Sequence, residues 1–122
     1  MTEIICHSIE YVFAETIAVI TPNDVTLEPG VSWKYLPVKE KPVYSCNQRN
    51  DDAGPIKEET VTAITKSGID GLLKRNLAHA VVLRMKTNQK TFHVGTDRYP
   101  CTVELSGDGI NDTWTFTTTS PV

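Results

Sequence analysis

The chain has 122 residues and a formal net charge of −3, a length that makes one domain able to bury a core without disulfides or metal to staple it. Lysine and arginine are scattered along it, never more than two in a row, so the concentrated positive charge that a phosphate backbone needs is missing and no nucleic-acid partner is expected. No apolar run approaches the roughly 20 residues that span a bilayer, so no membrane partner is expected either.

Thr, Val and Ile make up 37 of the residues against 13 for Leu and Ala. β-Branched side chains are stiff at χ1 and pack well on a pleated surface, so this balance favours strands. At the start of the chain, Glu3, Glu10 and Glu15 interrupt the apolar pattern of MTEIICHSIEYVFAETIAVI. That stretch has neither a basic n-region nor a small-residue cleavage site, and it does not read as a signal peptide. Cys6, Cys46 and Cys101 are an odd number at wide spacings. They read as reduced thiols rather than a disulfide framework, which implies a cell's cytoplasm or a particle assembled there.

Residues 8–21 suit one long bent strand, or two strands joined tightly at Glu15 and Thr16; a helix is the competing reading. The β-branched residues Thr16, Ile17, Val19 and Ile20, with Pro22 straight after, favour strand. Turns at Pro22-Asn23-Asp24 and Glu28-Pro29-Gly30 leave Val25 to Leu27 as a very short strand. From Val31 to Val38 the alternation sets Val31, Trp33 and Tyr35 against Ser32, Lys34 and Leu36, the pattern of a half-buried strand. Pro37 and Pro42 bracket a charged loop near a sheet edge.

Val43 to Gln48 and Ile56 to Thr65 read as strands that pair across a long polar hairpin loop, NQRNDDAGP. Arg49, Asn50, Asp51 and Asp52 in that loop are the candidate interaction residues, because loops tolerate variation while a sheet fixes their position. Ile69, Leu72, Leu73 and Leu77 have helical spacing, and Asp70 near the start with Lys74 and Arg75 near the end suits the helix dipole; Gly71 opposes it.

From Leu77 to Thr119 four runs follow one another as a β-meander. The first, Ala80 to Met85, is nearly continuous in apolar residues, as in a central strand covered on both faces. In the next three, Phe92 and Val94, then Cys101, Val103 and Leu105, then Trp114 and Phe116 take one face each, opposite polar neighbours.

No cofactor is expected. Cys6 and His7 are adjacent, so their side chains point to opposite faces of a strand, and no CxxC or HxxxH pair supplies zinc spacing. Asp108, Asn111 and Asp112 in SGDGIND superficially suggest calcium, but the distal bidentate Glu is missing and Gly with Asp is what a turn demands. No GxSxG elbow, P-loop or GxGxxG occurs, and the reading is non-enzymatic. Trp33, Tyr35, Tyr44, Tyr99 and Trp114 fit either a sugar or peptide platform or ordinary core positions.

AGPIKEETVTAIT, then LLKRNLAHAVVLRM, HVGTDRYPCTVEL and TWTFTTTSP together cover about the C-terminal two thirds of the chain. In these segments it resembles small structural and morphogenesis proteins of Bacteroidetes prophages and phage-like elements. Those proteins often carry a glycine turn before the second meander strand, where this chain has Thr87, Asn88, Gln89 and Lys90. The resemblance implies a virion subunit of neck or tail whose partners are itself and other particle proteins. Taken together, the expectation is an all-β sandwich or partly closed barrel of 7–9 strands with one short helix between Gly68 and His79.

Overall fold

A computed structural model describes residues 2–20, 25–52, 54–68, 73 and 77–121. In chain order its strands are β1 (Thr2–Ile5), β2 (Ser8–Phe13), β3 (Ile17–Ile20), β4 (Val25–Leu27), β5 (Lys34–Tyr35), β6 (Val43–Asp51), β7 (Gly54–Lys66), β8 (Val81–Lys86), β9 (Thr91–Val94), β10 (Thr102–Gly107) and β11 (Asn111–Pro121). A five-stranded sheet has the order β1-β6-β7-β11-β10 and a four-stranded sheet the order β5-β2-β8-β9. All their pairings are antiparallel. A separate β3–β4 hairpin completes a sandwich-like, mostly β fold.

Alternation explains which side chains meet between the sheets. Val61, Ala63, Trp114 and Phe116 project from β7 and β11, and Ile9, Tyr11, Leu83 and Met85 from β2 and β8, all within one buried cluster. Trp114 is fully buried and its indole N–H donates to Thr65 Oγ1 over 2.9 Å, so the ring enters the core with its polar group satisfied. The apolar run of β8 is interior to its sheet, and Val81, Val82 and Leu83 are all buried, as expected for a strand covered on both faces.

Residues 8–20 form two strands, joined by a 3-10 turn at Ala14–Thr16. The four runs after Leu77 do not form one meander. β8 and β9 belong to the four-stranded sheet, β10 and β11 to the five-stranded one. The crossing occurs at Gly95 to Cys101, where Gly95 has φ 88° and Cys101 makes a lone bridge to Val81. Period two fixes the face of each residue but not the partner strand, which is why the crossing is silent in the pattern.

The expected strand from Val31 to Val38 shrinks to Lys34–Tyr35; Val31 and Trp33 remain more buried than Ser32 and Lys34, but the expected faces fail at Tyr35 and Leu36. Leu36 is fully buried while Tyr35 is 58% exposed. The Leu36 N–H donates to the Ile9 carbonyl over 3.1 Å, fixing this turn of chain, and Pro37 prevents the ladder continuing. The helix expected from Ile69 to Leu77 lies outside the described residues except at two positions. Leu73 is helical and fully buried in the core; Leu77 packs half-buried against it.

Candidate functional site

β6 is longer than the core it serves. Tyr44 is buried and Cys46 half-buried, but Asn47, Gln48, Arg49, Asn50 and Asp51 are all exposed. Successive strand residues point to opposite faces, so this part of β6 is exposed on both faces. At about 3.3 Å per residue the exposed part extends roughly 16 Å past Cys46. It is not isolated: β7 pairs with it from Asn47↔Glu58 to Asp51↔Gly54, and β11 flanks β7 as far as Pro121↔Ile56. The result is an ordered arm of three strands.

Arg49, Asn50 and Asp51 therefore lie on a strand, not in the long loop that their polarity suggests, and only Asp52 is in the turn. Backbone pairing is indifferent to side-chain polarity when both faces are wet. The turn is short because Asp51 pairs with Gly54, whose φ is 114°. The Asp51 carboxylate helps close it by accepting the Asp52 N–H at 2.8 Å. Arg49 Nη2 lies 3.6 Å from Glu58 Oε2 in an exposed contact across the arm.

Where the arm leaves the core, Tyr44 donates its phenol hydrogen to Glu59 Oε2 over 2.6 Å, and Lys57 Nζ sits 3.6 Å from Glu59 Oε1. Glu59 is buried and directly opposite Cys46 in the register. Burial first, and then the Glu59 carboxylate, push the Tyr44 phenol above its ordinary range, so it stays a hydrogen donor. Tyr44 also packs edge-on against Phe92 of the opposite sheet, with ring centroids 5.1 Å apart. This cluster anchors the arm to the sandwich. Sequence reasoning misses it because Tyr44 and Glu59 are far apart in the chain; the hairpin register, counted back from Asp51↔Gly54, is the signal that finds it.

The other candidates separate in space and role. Cys6 and Cys101 are buried and Cys46 half-buried, none in a disulfide. Burial pushes the Cys101 thiol up to about 12. No group of three or more potential metal ligands occurs among the described residues. Asp108 Oδ1 accepts the N–H groups of Ile110 and Asn111 at 2.8 and 2.7 Å, the job of a turn residue. Those bonds, Asn111's first, hold its carboxyl below the usual range.

The aromatic residues do not form one platform. Trp114 and Tyr44 are buried, Tyr35 and Tyr99 are exposed, and Trp33 has the Arg84 guanidinium over its ring at 4.6 Å and the His93 ring tilted against it at 5.6 Å. Beside His93 a cleft of about 600 Å³ opens, walled by Ile20 and Val25 of the β3–β4 hairpin, by Phe92, and by the loop carrying Arg98 and Tyr99. Comparison with protein-family models, curated proteins and solved structures finds no match to this chain.

Proposed function

We propose that this chain is a non-enzymatic structural or assembly subunit of a phage-like particle, in the neck or tail, acting through homo-oligomeric contacts and contacts with other particle proteins. It is made in the bacterial cytoplasm and ends in the particle. The observation that carries the reading is the arm. A hairpin that continues well past the core, with its β6 residues exposed from Asn47 to Asp51, adds little to the packing of its own domain, and its anchored base keeps it rigid enough to engage a neighbour. Rings need only complementary surfaces whose repeated contact closes, and the resemblance in the C-terminal segments adds weight to a virion role.

Sedimentation velocity from micromolar to millimolar protein, followed by electron microscopy of any oligomer, tests this. A discrete species of several subunits with closed symmetry is the expected result. A monomer throughout overturns the homo-oligomeric reading.

A second reading, a small ligand- or carbohydrate-binding module, is favoured by the cleft beside His93. Trp33 packs on that histidine while Trp114 is sealed in the core. A ligand in the cleft would then shift the emission of Trp33 alone, and the Trp33→Phe variant would lose the response.

A further inference from the structure

The direction in which each backbone group of the arm points follows from the ladder. The Cys6 N–H donates to the Pro42 carbonyl at 2.8 Å, and β1 pairs with β6 in the same register, Ile4↔Tyr44 and Thr2↔Cys46. Hydrogen-bonded pairs alternate along an antiparallel ladder. The even-numbered residues of β6 therefore bond toward β1, and the odd-numbered ones toward β7. The carbonyl of Ile64, an even residue of β7, accepts the Lys39 N–H on the β6 side, which is consistent with this assignment.

β1 ends at Thr2, opposite Cys46. Beyond it, the N–H and C=O groups of Gln48 and Asn50 point away from β7 along an edge that no strand covers among the described residues. The other edge of the arm is different. The outward-pointing residues there are Thr119 and Pro121 of β11, and proline brings no N–H. Natural sheets blunt exposed edges with proline. Among the described residues, this arm has one blunted edge and one open edge.

The open edge is also complementary to itself in charge. Arg49 and Asp51 flank Asn50 and share one face of the strand. In an antiparallel pair related by a two-fold axis through Asn50, Arg49 of each copy lies opposite the partner's Asp51, and Gln48 lies opposite the partner's Asp52. The axis placed at Arg49 or Asp51 would instead set like charges against each other.

We propose that two copies of this chain pair through the open edges of their arms, antiparallel about a two-fold axis at Asn50, with Arg49 and Asp51 exchanging ion pairs across it. The proposal rests on the homo-oligomeric reading and names the surface and the occupant. The Asn50 N–H and C=O of each copy bond their counterparts, and the Gln48 groups reach the turn at Asp52. An overlap of about five residues per chain is small beside the area of a stable interface, so one contact is weak alone. Repeated within an assembly it gains from effective concentration.

Charge reversal and its rescue test this, read by sedimentation velocity and checked by circular dichroism for an intact fold. The arm lies outside the core, so these variants keep the folded domain. Arg49→Asp sets a carboxylate against the partner's Asp51, Asp51→Arg sets two guanidinium groups together, and each is expected to weaken self-association about tenfold through two symmetric contacts. The double variant R49D/D51R exchanges the charges and is expected to recover it. Asn50→Pro removes an outward N–H without touching the β6–β7 ladder and is expected to abolish the pairing.

If the wild type oligomerises and these variants oligomerise equally well, the arm contact is wrong while the homo-oligomeric reading stands. A wild type that stays monomeric to millimolar concentration overturns both. Weakening by the single reversals without recovery in the double variant also overturns the proposed register.

Discussion

The Tyr44 hydroxyl and the Glu59 carboxylate meet at 2.6 Å where β6 and β7 leave the sandwich, at the buried base of a hairpin arm whose β6 strand is exposed. A carboxylate taken out of water needs its hydrogen bonds replaced and its charge balanced; Tyr44 donates the hydrogen bond, and Lys57, 3.6 Å away, supplies the opposite charge. Tyr44→Phe keeps the ring on Phe92 and deletes only the donor. It is expected to cost about 1–3 kcal/mol, the penalty for leaving a buried acceptor short of a partner. Urea unfolding should show a lower midpoint with an unchanged slope.

On the outer face of the four-stranded sheet, Glu10 accepts from Arg84 Nε at 3.1 Å and Nη2 at 2.8 Å, and Lys86 Nζ lies 3.1 Å away. The Arg84 hydrogen bonds, opposed by some desolvation and aided by Lys86, hold the Glu10 carboxyl below its ordinary value. The folded pKa is thus lower than the unfolded one, near 4.3. The stability this linkage contributes is fully present above about pH 4.3 and is lost as the pH falls through the lower, folded pKa. Thermal melts should show the wild type losing more stability between about pH 5 and 3 than Glu10→Gln, whose amide does not titrate.

How far the sequence reveals this molecule depends on what each pattern encodes. β8 is legible because an apolar run with both faces filled, Val81 to Leu83, has few other uses. The faces of Trp114 and Phe116 follow from alternation. Strand partners do not, since the move of the chain between sheets at Gly95 to Cys101 leaves the period of two untouched. The arm is hidden for a different reason. Asn47 to Asp52 read as exposed and available for contact, but their polarity also reads as loop, and a ribbon wet on both faces has no apolar periodicity to announce it. Gly54 with Asp51 marks a tight turn, the one local signal against a long loop.

The cysteines give a contrast that chemistry can read. Cys46 is half-buried at the base of the arm, whereas Cys6 and Cys101 are fully buried. Burial raises the pKa of Cys6, and burial first with the Glu59 charge second takes Cys101 up to about 12. Since the thiolate is the reacting form, both are protected by inaccessibility and by protonation. A thiol reagent at neutral pH should modify Cys46 first in the native protein, and all three only after unfolding. Mass spectrometry of the labelled peptides gives the order, and early labelling of Cys101 would contradict this arrangement.

Stability and assembly should separate cleanly along β6. The core cluster includes Tyr44, Val61 and Phe116 but no residue from Asn47 to Asp51. Phe116→Ala, in the middle of the sandwich, is expected to cost about 3–5 kcal/mol through lost burial and the cavity left behind. Removing residues 48–57 instead and joining Asn47 to Glu58 through an Asn-Gly turn deletes the arm at a register pair, with a dipeptide suited to a two-residue hairpin. That deletion takes away the exposed end of β6, half-buried Ile56 and the partly exposed Lys57 partner of Glu59. Its expected cost is about 1–2 kcal/mol, because the buried Glu59 carboxylate then keeps only its Tyr44 hydrogen bond. Urea unfolding should therefore rank the arm deletion between wild type and Phe116→Ala, while sedimentation should find the arm-deleted protein monomeric at concentrations where wild type associates. An arm deletion as costly as Phe116→Ala would mean that the projecting strands serve the fold of their own domain and are not held out for a neighbour.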